Sequence, residues 1–519
     1  MEQSHQISYK DSWKRRTNMS YTAILITVLV IYLAANLIIG LWVSKKQSEI
    51  DSGKGFINNY FIGGRSMGGL VLAMTLVATF TSASSFIGGP GVAFSKGLVW
   101  VYLSMIQVPT AFIILAVLGK KFAIISRKTN AVTVTDYLRA RYHSPAVVII
   151  SSICLVLFFI AQMMSQFIGG AVLFESITGL SYVYGLALFG AIVIIYTTIG
   201  GFKAVTTTDT IQGLIMVLGG FIILFTIVTV AGGFDSLMDK LNVANPGWAD
   251  ITAGGTTTKP YVMSFWVLVG VGVLGLPQTA VRGMGFKDTK SLHNAIIYGT
   301  IVVGFLMLVM HISGAFAPAI LDSTEITSSD YVIPALVLKY MNPVVAGLFI
   351  AAPLAAVMST VSSLLILASA AIVKDLYMNY VATAEMKKKP SFQKKIAIMS
   401  IGSTLLIGII VFVFTIYPPD LIVWINLFAM GGLECAFFCP ILFGLYWRKA
   451  NATGAVLSAV CGVASFIIMS TLSISLGGTT PIVPSILISI IAFIAGSYMG
   501  PKTDEGTLTL FFGNRQKGV

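Results

Sequence analysis

Two carboxylates of this chain, Asp209 and Glu434, fall inside apolar stretches, whereas the rest of its 20 acidic residues sit in loops, tails or at the ends of such stretches. A carboxylate at membrane depth is expensive and marks an ion, proton or substrate site by default. Each has a plainer alternative. Asp209 has Thr206, Thr207 and Thr208 beside it and reads also as an interfacial helix cap. Glu434 reads also as a protonated carboxyl bonded between helices. His311, in another apolar stretch, reads as a packing residue with its polar groups satisfied locally.

Backbone breakage is the second chemical signal. From Ala78 to Gly91 the chain combines hydroxyl residues with three glycines around Pro90, and from Gly270 to Gln278 it carries three glycines before Pro277. Such density interrupts helical hydrogen bonding, and freed carbonyls are tolerated in a membrane only where they line a cavity or ion site. The third signal is Ala356, Ser359 and Thr360, spaced i, i+3 and i+4 and therefore on one helical face. Two hydroxyls and a carbonyl opposite a broken helix make an all-oxygen nest suited to a hard cation such as sodium. The plainer alternative is that both hydroxyls bond back to carbonyls one turn earlier.

The elements that must hold these residues follow from composition. With 56% hydrophobic and 10% charged residues over 519 positions, the chain is too apolar for a soluble globule, where roughly a quarter of residues are charged. A helix needs about 20 apolar residues to cross the hydrocarbon core. Thirteen runs of that kind, I to XIII, lie near 22–44, 68–93, 98–119, 147–173, 182–199, 209–231, 263–281, 294–319, 343–372, 396–417, 421–447, 452–476 and 481–500. The chain reads as one all-α integral membrane domain over 1–519. Cys154, Cys435, Cys439 and Cys461 lie in apolar runs without metal-ligand spacing. The net charge of +13 is spread between runs rather than gathered on one face, so it points to membrane orientation and not to nucleic acid. With the N-terminus outside, 25 of the 33 Lys and Arg fall in cytoplasmic loops, as the positive-inside rule requires. Lys10, Lys14, Arg15 and Arg16, before run I, run against it, and a start at Met19 would remove them. No Lys or Arg is expected at membrane depth, Arg282 being read as part of a cytoplasmic loop.

The broken runs II and VII are five apart. An offset of five reverses direction through the membrane, which is the arrangement of inverted-repeat transporters with discontinuous helices at the midplane.

At Gly64–Gly69, Thr81–Gly91, Gly200–Ala204, Asp209–Gly213, Gly275–Arg282, Ala355–Thr360, Val373–Tyr377, Gly431–Glu434 and Gly444–Ala455 the chain resembles the sodium/solute symporter family, most closely its pantothenate carriers. That resemblance implies about thirteen helices and a five-plus-five inverted-repeat core. An extra helix at 21–44 would precede a first repeat at 68–231 and a second at 263–447, with two extra helices at 452–500. It implies a sodium site made by the carbonyls of Ala78, Thr81 and Ala356 and the hydroxyls of Ser359 and Thr360, with Asp209 on the release path. Ser85, Ser104 and Gln107 fall at the substrate-contacting positions of sugar-carrying relatives but differ from the side chains used there, which argues against a sugar. Gln162 and Gln166, which share a face, and Gln278 and Glu434 complete the expected substrate set.

The expected function is sodium-driven symport of a small organic acid into the cell across the cytoplasmic membrane, pantothenate first, another monocarboxylate or an amino acid second. A symporter-like sensor would need a signalling module after run XIII. No nucleophile–base pair or metal cluster suggests an enzyme, and no cofactor beyond the coupling sodium and no obligate protein partner is expected. The charge asymmetry makes one direct prediction. A single cysteine placed before Tyr21 in a cysteine-free background should react with an impermeant thiol reagent in intact spheroplasts, and labelling only after the membrane is opened would reverse the topology.

Overall fold

A computed structural model of the chain describes residues 19–50, 67–255, 257–389 and 391–513. The basic N-terminal residues Lys10 to Arg16, Lys54 and Arg65 of the first basic loop, residues 64–66 of the Gly64–Gly69 stretch, and Arg515 and Lys517 lie outside them. The described chain is helical, and all thirteen apolar runs have become helical, runs V and VI within one continuous helix, Tyr182–Ala231. Ten are long and apolar enough to cross a membrane: α1 Ser20–Val43, α3 Leu98–Thr129, α4 Pro145–Thr178, α6 Val205–Ala231, α8 Thr289–Ala319, α9 Pro343–Val381, α10 Ser391–Thr415, α11 Ile422–Tyr446, α12 Ala452–Thr471 and α13 Ile482–Met499. The first part of the helix Tyr182–Ala231, Tyr182–Ile195 (α5), is a shorter apolar stretch.

The two remaining runs are broken as the glycines and prolines require. In α2, Gly69–Phe80 (α2a) and Ser84–Lys96 (α2b) meet at 70°; in α7, Lys259–Gly275 (α7a) and Pro277–Met284 (α7b) meet at 51°. The start of α2 pairs with the end of α7: the Met67 N–H donates to the Gly285 carbonyl at 3.2 Å and the Lys287 N–H to the Met67 carbonyl at 2.9 Å. The two broken helices therefore run in opposite senses, as an inverted repeat demands.

Large apolar side chains such as Ile31, Ile153, Phe225, Ile301 and Ile409 face outward. In water such a surface would be a liability, but against lipid tails it is neutral, so small residues rather than hydrophobicity decide which helix faces meet. A Cβ on Gly219 of α6 would stand 2.3 Å from the Ala352 Cβ of α9, and one on Gly462 of α12 would stand 2.8 Å from the Ser489 Cβ of α13.

One end of the bundle is basic. There α3 and α9 run past the expected ends, 119 and 372: α3 through a last turn that carries Arg127 and Lys128, and α9 through Lys374 and Asp375, which find partners within the protein. Lys374 of α9 and Asp136 of the short helix Val134–Tyr142 form a buried ion pair, while Thr133 and Thr135 donate to Asp375. Burial pushes the Asp136 carboxyl up, but the Lys374 ammonium and the Val132 N–H outweigh it and hold it below the usual range. Arg141, fully buried, donates to the Gly444 carbonyl at 2.8 Å and the Trp447 carbonyl at 3.1 Å, meeting acceptors that the end of α11 leaves open. At the opposite end Asp330 receives the N–H of Ile422, the first residue of α11, at 3.2 Å. Burial raises that carboxyl to about 6 against the pull of this N–H.

Candidate functional site

The break in α2 frees carbonyls at the end of α2a and N–H groups at the start of α2b, and both sets find partners. Thr81 is extended, with φ −75° and ψ 129°, so the helical ladder ends there. The fully buried side chains of Ser359 and Thr360 on α9 face this opening. The Ser359 hydroxyl lies 2.8 Å from the Ala78 carbonyl and 3.1 Å from that of Ala356. The Thr360 hydroxyl lies 3.0 Å from the Thr81 carbonyl, 2.9 Å from that of Ala356 and 3.5 Å from that of Ala78. Both hydroxyls also reach carbonyls one turn back, Ser359 to Ala355 at 2.7 Å, so the plain back-bonding alternative is present. It does not account for the cross-helix distances to α2. All five oxygens expected from the sequence thus converge. On the other side of the break the Gln166 side-chain oxygen accepts the Ala83 N–H at 2.8 Å, which makes Gln166 a cap for α2b.

Asp209 lies in the interior of a continuous helix, Tyr182–Ala231, so it is not an N-terminal cap. It is fully buried and accepts the Thr75 hydroxyl at 2.7 Å. Its other neighbour overturns one expectation. Arg282, assigned to a cytoplasmic loop on sequence, lies in α7b, is 1% exposed, and sits 3.6 Å from the Asp209 carboxylate. Its Nη2 also donates to the Thr79 hydroxyl at 2.7 Å and to the Ser363 hydroxyl at 2.6 Å. A cation does stand within a membrane-spanning element. The sequence signal was present in the run Gly275–Arg282, but the apolar run fades there and the arginine was counted with Lys287 and Lys290. Only the bend of α7 turns it inward, onto a carboxylate that α6 supplies.

Next to the broken end of α2 is a small cavity, lined among others by Ser82, Ser84, Ser85, Trp100, Ser104, Gln107, His311, Asn426 and Met430. Trp100 packs edge-on against Phe265 and Trp424, with ring centroids 5.7 and 5.5 Å away. Ser85, Ser104 and Gln107 are brought together as expected. Gln162, Gln166, Gln278 and Glu434 are not among the lining residues. Gln278 donates to Gln162 at 3.2 Å and Gln162 to Asn426 at 3.4 Å, so this pair stands behind the wall and holds Asn426, a residue that sequence reasoning missed. Glu434 is fully buried against α7a, where a Cβ on Gly272 would stand 2.4 Å from its carboxyl oxygen. His311, expected to be packing, belongs to the lining.

A bent helix pair with hydroxyls opposite the bend, beside a cavity with polar side chains on its wall, defines a membrane carrier. The model of the sodium:solute symporter family matches residues 60–462, and the chain belongs to that family. It is 45% identical over 484 residues to the sodium/pantothenate symporter of Haemophilus influenzae, covering 93% of this chain and 98% of that one. With the sodium/pantothenate symporter of Escherichia coli it shares 44% over 481 residues, covering 92% and 97%. The osmoregulated proline transporter OpuE of Bacillus subtilis is 29% identical over 501 residues, covering 94% and 97%. Among solved structures, a Na+-coupled sialic acid symporter in its substrate-bound outward-open state superposes with a TM-score of 0.73 at 20% identity, covering 93% of this chain and 98% of that one. At that identity the likeness concerns the fold.

The buried ion pair carries a prediction about stability. Asp209→Asn strands the Arg282 guanidinium without its carboxylate and should cost about 3–5 kcal/mol, whereas Asp209→Asn with Arg282→Gln removes both charges and should recover much of it. Thermal melts of the purified protein in detergent measure the difference, and equal losses would mean that the two charges do not interact.

Proposed function

We propose that this protein is a sodium-driven symporter that carries pantothenate into the cell across the cytoplasmic membrane, with its N-terminus outside and its C-terminus inside. The observation that carries the reading is the five-oxygen cluster at the α2 break beside a cavity lined by serine, glutamine and asparagine side chains. Sodium binds between α2a and α9, its shell made by the carbonyls of Ala78, Thr81 and Ala356 and the hydroxyls of Ser359 and Thr360. Each hydroxyl turns its hydrogen away and presents a lone pair to the ion. Asp209 stands on the way out toward the cytoplasm. The substrate lies in the cavity against Ser85, Ser104 and Gln107, with Gln162 and Gln278 fixing the wall. The names of the relatives at 44–45% identity support pantothenate as the substrate. Glu434 fits better as a carboxyl held against α7a than as a direct contact.

The carboxylate of the substrate needs compensation in a low-dielectric site. Sodium at the α2 break and the positive end of α2b, which starts at Ser84 on the cavity wall, supply it. Sodium entry gains about 2.3 kcal/mol per charge per 100 mV. Alternating access follows when the two broken helices rock against the remaining helices, opening the cavity to one side and then the other.

In proteoliposomes, uptake of labelled pantothenate should require an inward sodium gradient and be little reduced by excess proline. Uptake that continues unchanged with choline in place of sodium at constant pH would refute sodium coupling. Thr360→Ala removes one ligand and should raise the sodium concentration for half-maximal uptake roughly tenfold, the equivalent of about 1.4 kcal/mol. Thr360→Ser, which keeps the oxygen, should largely restore it. Equal sodium dependence in wild type and Thr360→Ala would assign the hydroxyl to helix packing alone.

A further inference from the structure

We propose that the lysine-rich turn between α9 and α10 is a docking surface for the headgroups of anionic phospholipids, in the leaflet that borders the basic end of the bundle. The proposal goes beyond the transport reading and does not depend on which solute is carried.

Lys387, Lys388, Lys389, Lys394 and Lys395 fall within nine residues, and Glu385 is the only acidic residue between Asp375 and Asp420. All five lysines are exposed. Among the described residues none of the five has an ion-pair partner. Elsewhere at this end the protein takes up its own charge: Arg127 donates to the Phe286 carbonyl at 2.6 Å, Arg139 lies 3.7 Å from Asp136, and the Lys121 ammonium stands 4.2 Å from the centre of the Tyr446 ring. The turn is packed rather than loose. Phe392 and Ile396 of α10 are buried in one cluster with Val373 of α9 and Ala382 just past it, and the Lys395 ammonium lies 5.2 Å from the centre of the Tyr377 ring.

Helical spacing sets what the lysines face. On α10, Lys394, Ile398, Ile401, Leu405 and Ile409 follow one another at three or four residues and share one face. The four apolar members are 60%, 41%, 40% and 57% exposed, and such a stripe on a spanning helix lies against lipid tails. Lys394 stands at the head of this stripe, about 6 Å along the axis from Ile398 at 1.5 Å per residue. From there its aliphatic stem can follow the tails while the ammonium reaches the headgroups. Beside it α9 ends on Tyr380 and Val381, both exposed, and tyrosine is a residue of the membrane–water interface. A soluble acidic partner would use the charges alone, whereas a phospholipid uses both the charges and the apolar stripe that runs on from them. Four to eight basic residues immediately beside a spanning helix are enough to gather acidic lipids.

The test places the full-length protein in nanodiscs that contain spin-labelled phosphatidylglycerol or spin-labelled phosphatidylcholine, and the immobilised fraction gives the relative affinity for each headgroup. Wild type should prefer phosphatidylglycerol by at least roughly threefold at low salt, and the preference should shrink as salt is added. The variant K387Q/K388Q/K389Q/K394Q/K395Q should lose most of it, and the five matching arginine substitutions should keep it. A photoreactive phosphatidylglycerol needs no variant and should label wild type within residues 387–395. No headgroup preference in wild type, a preference that survives the glutamine substitutions, or label confined to the other basic loops would each overturn the proposal. Equal loss in the glutamine and arginine variants would overturn it too, since the lysines would then serve the fold and not the headgroup. Inorganic phosphate at matched ionic strength should displace no more phosphatidylglycerol than chloride does, and stronger displacement would make the turn a site for free phosphate instead.

Discussion

A backbone that leaves the helical ladder inside a membrane must find new partners for every group it frees, and the centre of this protein is organised by that requirement. The break at Thr81–Ala83 opens carbonyls on one side and N–H groups on the other. Water would settle the matter in a soluble protein. In hydrocarbon each orphaned group costs several kcal/mol, so neighbouring helices must deliver oxygen to the N–H side and donors or a cation to the carbonyl side. Gln166 of α4 does the first. Ser359 and Thr360 of α9 stand ready for the second, and the same oxygens that stabilise the break without an ion are those that would surround sodium.

The same requirement explains why charge enters the membrane at Arg282. α7b is short, and its bend carries a guanidinium to Thr79 of α2a, Asp209 of α6 and Ser363 of α9. One side chain thereby ties the second broken helix to three elements around the first, one turn from the hydroxyls of Ser359 and Thr360 along α9. The main-chain pairing of Met67 with Gly285 and Lys287 closes the two broken helices at the same end. These links join α2 and α7 directly, at the arginine and at their paired ends. The cluster of Asp136, Lys374 and Asp375 and, separately, the bonds of Arg141 to the end of α11 hold the basic end together. An alternating-access carrier needs such coupling, because an ion site and a substrate cavity that moved independently would leak.

The amino-acid sequence alone determined the solvent, the all-helical class and the two breaks. Those follow from local quantities: twenty apolar residues in a row cross a bilayer, and Gly–Pro clusters cannot continue a helix. Helical spacing likewise put Ala356, Ser359 and Thr360 on one face, and the family likeness supplied the carbonyls opposite. What the tertiary structure decided is which face meets which. Arg282 looked like a loop residue because hydropathy weighs neighbours along the chain, whereas its burial depends on a carboxylate 73 positions away. Gln162, Gln166 and Gln278 were legible as polar groups in apolar runs, but only packing made one of them a cap and the other two a brace for Asn426. His311 passed for a packing residue because one of its nitrogens is indeed satisfied by its own helix. That the opposite edge of the ring packs against Gly89, in a helix distant in sequence, is a contact that no local pattern encodes.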